Sequence, residues 1–103
     1  AGIEDSAELF AADIMAKAEN EPDPDIVSRL TAHVGPVLEW LADRHGLPFD
    51  VVTNFSYPGH SARRMHGLPK RTGSELVDRL REAAEARDIP ILTGFRATTL
   101  FTD

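Results

Sequence analysis

The segment from Asn54 to Arg71, NFSYPGHSARRMHGLPKR, shows neither a helical nor an alternating apolar period, yet it lies between stretches that are clearly patterned. So long a connection in a compact domain is usually either functional or disordered. It is also basic. Arg63, Arg64, Lys70 and Arg71 fall in it, and no Asp or Glu lies between Asp50 and Glu75, although the chain carries a formal net charge of -6. On composition alone two readings stand: a solvated loop that happens to be basic, or a loop that faces something anionic.

The flanking stretches predict helices. EDSAELFAADIMAKAEN places Leu9, Phe10, Ile14, Met15 and Ala18 at helical spacing, and Asp5 with Glu8 resembles a capping box, so a helix is expected over about Ser6 to Glu19. In ENEPDPD, Asp23 can accept from free amides and Pro24 suits the first helical position. The helix it starts carries Ile26, Val27, Leu30, Val34, Val37, Leu38 and Leu41. Gly35-Pro36 predicts a kink or a division into two short helices, and Gly46 predicts the C-terminal cap. LPFDVVTNF is β-branched and aromatic, which fits a short strand or an extended edge. After the loop, Thr72 and Glu75 form a T-x-x-E capping box, with Leu76, Val77, Leu80, Ala83 and Ala84 as the expected buried face.

The closing IPILTGFRATTLFTD reads as strand, packed against FDVVT or paired with another chain. Lone strands and hairpins are marginal in water, so this ending reads as an internal cut in a longer chain. The expected fold class is α+β, mainly α: a three-helix cluster with a long irregular loop and one or two short C-terminal strands. Its parts are a helical part over 1–46, the basic loop over 54–71, and a helix and strand over 72–103.

Composition excludes several classes. A chain of 103 residues is sized for one domain, and it contains no apolar run of about 18 residues able to span a bilayer. Without cysteine there are no disulfides, thiolate metal sites or Cys nucleophile, which fits a cytoplasmic origin. A sequence pI near 5.1 disfavours nucleic acid as a partner of the whole molecule. There is no Walker A run, no G-x-G-x-x-G and no G-x-S-x-G. His60 and His66 lack the third ligand pattern of a metal site, so none is expected.

What remains converges on the loop. Its arginines can grip carboxylate or phosphate bidentately, it leads into a helix N-terminus, and Gly59, Gly67 and Gly73 permit tight turns.

PGHSARRMHGLPKRTGSELVDRL resembles the G-G-H-S-x-x-R-x-x-H…TG segment of L-aspartate oxidase and the related stretch of fumarate reductase and succinate dehydrogenase flavoproteins. Upstream, the D-S-x-E-L start, the acidic N-D-P-like helix start and the W-L…G-x-x-F-D ending are similar to the same family, so the resemblance covers almost the whole chain. The sequence departs from the pattern in having Pro58 for the first glycine, an added GLPK before TG, and one residue fewer between Arg64 and His66.

The resemblance implies an internal fragment of an FAD-dependent oxidoreductase that transfers hydride between FAD and a small, carboxylate-bearing substrate. Aspartate, fumarate, succinate, tricarballylate and ketosteroids all stay open. By position it implies that Gly59, His60, Ser61, Arg64, His66, Thr72 and Gly73 run close to the cofactor and substrate cleft, with Arg64 and His66 best suited to hold an anionic group. The family's dinucleotide fingerprint, H-P-T motif and catalytic arginines match nothing here, so no catalytic residue is carried over. The fragment alone is expected to be inactive and its loop loose. The parent is expected in the cytoplasm or on the cytoplasmic face of a membrane. The alternative is a self-contained helical module whose basic loop docks an acidic partner. Self-association through exposed apolar faces is a further expectation.

Overall fold

A computed structural model describes residues 2–103. They form α1 (Ala7–Lys17), α2 (Pro24–His45), β1 (Asp50–Val51), β2 (His66–Gly67) and α3 (Gly73–Glu85). The chain divides into two compact units, Ala1–Thr72 and Gly73–Asp103. The architecture is mainly helical with a small amount of strand, in keeping with the expected class.

In the first unit α1 packs against α2. Ser6, not Asp5, caps α1: its Oγ accepts from Leu9 N at 3.0 Å. The helix ends at Lys17, earlier than expected, because Glu19 and Asn20 take positive φ values of 52° and 62° and turn the chain. Asp23 caps α2 by accepting from Asp25 N, Pro24 occupies its first turn, and Gly46 closes it in the left-handed region with φ 66°.

Of the kink or division expected at Gly35-Pro36, the division does not occur: α2 runs unbroken for 22 residues with Pro36 inside it. Proline there removes one amide from the ladder. Both residues are exposed, so water can satisfy the carbonyl left without a partner. The core of this unit is thin: Val27 and Thr31 from α2 are buried, with Leu47, Val52 and Leu68.

Asp50 pairs with Gly67 and Val51 with His66, antiparallel, and Val52 N extends the ladder to Met65 O at 2.7 Å. FDVVT thus finds its partner inside the basic loop, not in the terminal segment as expected.

In the second unit α3 carries an ion pair between Arg79 and Glu75 at 2.9 Å. The expected buried face of α3 is only partly covered, since Val77 and Leu80 are exposed. The predicted C-terminal strand is absent: 86–103 contains no strand, and Leu100 and Phe101 are 90% and 92% exposed. A strand needs an edge to pair with, and this unit offers none among its described residues.

Candidate functional site: a carboxylate clasp beside an apolar cleft

The basic loop is docked on α1, where the sequence led us to expect it loose. Its first feature is a turn at Tyr57–His60, closed by His60 N donating to Tyr57 O at 3.1 Å. Pro58 suits the second position of such a turn, and Gly59, with φ 87°, supplies the positive φ required at the third. A Cβ on Gly59 would lie 3.0 Å from Cγ of Lys17, so the glycine also lets the turn lie down on α1.

The next residues are tied down by charge. Ser61 donates to Asp13 from its main-chain N–H at 2.8 Å and from its hydroxyl at 2.5 Å. Arg64 donates from Nη1 to Asp13 at 2.6 Å, and from Nε and Nη2 to the two oxygens of Asp5, both at 2.8 Å. Its guanidinium also lies over the Phe10 ring, 4.7 Å from the centroid. The Arg64 side chain is 6% exposed and that of Asp13 11%.

This geometry fixes the ionisation. The Ser61 hydroxyl first, then the Ser61 amide and Arg64, hold the Asp13 carboxyl down at about 2. Hydrogen bonds from Arg64 hold Asp5 below the usual carboxylate range, and the two carboxylates raise Arg64 still further above neutrality, Asp5 contributing most.

Beside this clasp lies a cleft of about 390 Å³ between α1, α2 and the loop. Phe10, Val34, Leu38 and Met65 give it apolar walls, and Asp5, Ser6, Thr31, His60, Arg64 and His66 give it polar ones. The His60 ring sits 5.9 Å from Phe10 and 6.1 Å from Tyr57, and its Nδ1 is buried without a hydrogen-bond partner. His66 is oriented by its Nδ1–H, which donates to Arg64 O at 2.8 Å.

Of the residues singled out by resemblance, the fold brings Gly59, His60, Ser61, Arg64 and His66 together in the first unit. Thr72 ends that unit and Gly73 opens α3 in the second. Sequence reading missed Asp13 and gave Asp5 the wrong task. One signal was available: Asp13 stands three residues after Phe10, on the same helical face, where an unpaired acid near a core aromatic calls for a cation.

A sequence model described as "FAD binding domain" matches residues 1–103. The chain belongs to the FAD binding domain family. Urocanate reductase of Eggerthella lenta is 28% identical over 103 residues, covering 99% of this chain and 17% of that protein. L-aspartate oxidase of Halobacterium salinarum is 31% identical over 104 residues, covering 96% and 20%. Fumarate reductase of Schizosaccharomyces pombe is 30% identical over 64 residues, covering 62% and 12%. The chain thus spans 20% or less of the length of each of these relatives. No solved structure matches it. FAD is the cofactor of the family, and no helix among the described residues is long and apolar enough to cross a membrane.

Proposed function

We propose that this FAD binding domain chain serves a flavoprotein oxidoreductase that transfers hydride between FAD and a small carboxylate-bearing substrate, with Gly59, His60, Ser61, Arg64, His66 and Thr72 belonging to the cofactor and substrate cleft. In this reading residues 72–103 rejoin the FAD domain, the 103-residue chain alone is inactive, and the parent works in the cytoplasm or at its membrane face. The relatives are named for urocanate, L-aspartate and fumarate, each a small carboxylate.

The observation that carries the reading is the docked turn: His60 lines an apolar cleft and keeps a buried, unpartnered Nδ1. A buried imidazole nitrogen without a partner costs free energy unless something completes it. Apolar walls with a few convergent polar groups fit a flat aromatic ligand with a hydrogen-bonding edge. Bound FAD supplies the hydride chemistry. The chain supplies the apolar walls, the His60 imidazole near Phe10 and Tyr57, and the His66 ring. With the Nδ1 of His66 committed to Arg64 O, its Nε2 is the nitrogen left to meet a substrate group. No observation favours the rival module, and Arg64, the central arginine of its docking loop, is already bound to two carboxylates.

The test is a titration of the parent flavoprotein with FAD and with urocanate, fumarate and L-aspartate. His60→Ala is expected to weaken FAD or substrate affinity by about tenfold, the effect of one good polar contact. Unchanged affinities for all of them, or turnover by the isolated chain, would overturn the reading.

A further inference from the structure

Arg64 looks at first like the group that would seize a substrate carboxylate, and the geometry argues otherwise. Three of its guanidinium N–H donors are already committed to Asp5 and Asp13, and its side chain is 6% exposed. The group is also over-neutralised: two carboxylates surround one guanidinium, so the cluster carries a surplus negative charge. An incoming carboxylate would have to displace a resident one against that surplus.

Asp13, by contrast, spends both oxygens on the loop. One accepts the Ser61 hydroxyl, and the other accepts the Ser61 amide and Arg64. Ser61 directly follows His60, whose ring lines the cleft. The bonds between Ser61 and Asp13 span 48 residues of sequence.

We infer that Asp13 is a positioning residue: through Ser61 and Arg64 it fixes the Tyr57–His60 turn so that His60 meets the ligand, and Arg64 serves this clasp instead of binding substrate. The inference rests on the cleft reading above. It moves anion recognition away from the most conspicuous arginine of the loop.

The experiment uses the full parent flavoprotein with Asp13→Ala, Ser61→Ala, Arg64→Lys, the Asp13→Ala/Arg64→Lys and Ser61→Ala/Arg64→Lys pairs, and His60→Ala. Three quantities are followed: hydrogen exchange at the Ser61 amide, FAD dissociation constant, and KM against kcat. If the clasp positions the turn, Asp13→Ala and Arg64→Lys both speed Ser61 exchange. Each then weakens FAD or substrate binding by about tenfold, with the paired variant no worse than Asp13→Ala alone. If Arg64 binds substrate directly, Arg64→Lys raises KM with Ser61 exchange unchanged and the two effects add, which overturns the inference.

Should Asp13→Ala fail to fold, Ser61→Ala, which deletes one hydroxyl, decides by the same non-additivity with Arg64→Lys. His60→Ala separates the two levels. If it leaves every affinity unaltered, the cleft reading itself fails. If it weakens binding while Asp13→Ala does not, only the positioning role fails.

Discussion

Asp13 accepts both the amide and the hydroxyl of Ser61, 48 residues further along the chain, and so joins the middle of α1 to the turn that carries His60. The bond links the two parts of the first unit that the sequence presents as unrelated: a helix with an apolar stripe, and a loop with no period at all. It also makes Arg64, the central arginine of the basic island, an internal cross-link, since it is bound by acids of the N-terminal region.

That cross-link titrates. The folded-state value for Asp13 is about 2, against 3.8 for the free carboxyl, so the folded form binds its proton less readily than the unfolded one. Its contribution is therefore fully present above pH 3.8 and is lost as pH falls through about 2. Asp5, shifted in the same direction, adds to the effect. Denaturant midpoints of the chain are expected to hold steady through this carboxyl's range down to about pH 4 and then to fall. Asp13→Asn removes part of that fall and lowers the plateau. An acid limb identical in Asp13→Asn and the parent sequence would show that the clasp does not form.

Gly59 is the second weak point. Alanine there meets two penalties, a positive φ of 87° and contacts of 3.0, 3.1 and 3.2 Å with Cγ, Cδ and Cβ of Lys17. The backbone part alone is worth about 1 kcal/mol, and the crowding adds about as much again. Gly59→Ala is expected to lower stability by about 2 kcal/mol in urea unfolding. In a Lys17→Ala background, where two of the three crowding atoms are gone, its effect is expected to shrink to about 1 kcal/mol. Equal penalties in both backgrounds would mean that the turn does not rest on Lys17.

How much of this the sequence discloses depends on the range of the interaction. The start and end of α2 are legible because Asp23-Pro24 and Gly46 act within a few residues of themselves. The α1 cap is misplaced by one position because Asp5 and Ser6 are both good caps. The choice between them is made by Arg64, whose bond to Asp5 spans 59 residues. The β2 pairing is invisible because two residues carry no period. The terminal segment is read as strand from its Ile, Thr and Phe content, but composition cannot supply the edge that a strand must pair with. At the site, the loop's position is right and its attachment is not. Nothing local to Arg64 announces that its counter-ions come from the first turns of the chain.

Gly35 offers a trade between stability and the cleft. It sits inside α2, has no positive φ, and a Cβ added there meets nothing within 4 Å. Replacing a mid-helix glycine by alanine typically gains about 0.5–1 kcal/mol. Gly35 also lines the cleft. Gly35→Ala is therefore expected to raise the thermal midpoint of the chain while adding a methyl to the cleft wall. In the parent flavoprotein, the same variant is expected to weaken the ligand that fills the cleft. A rise in stability with unaltered affinity would place the ligand elsewhere.

The last prediction concerns the face of α2 that α1 does not cover. Ile26, Leu30, Val37 and Trp40 follow one another at intervals of four, seven and three residues, which sets them along a single stripe. They are 66%, 54%, 48% and 54% exposed, whereas Val27, next to the first of them, is 5% exposed. A stripe of this kind is sticky in water. The 103-residue chain is expected to self-associate with rising concentration in sedimentation velocity, and Leu30→Glu with Val37→Lys is expected to return it to monomer without loss of helical circular dichroism. Val27→Glu, which puts a charge into the thin core, is expected instead to unfold the first unit. A chain that stays monomeric at high concentration with the stripe intact would count against association. Unfolding by the Leu30 and Val37 changes would show that this face is packed within the chain after all.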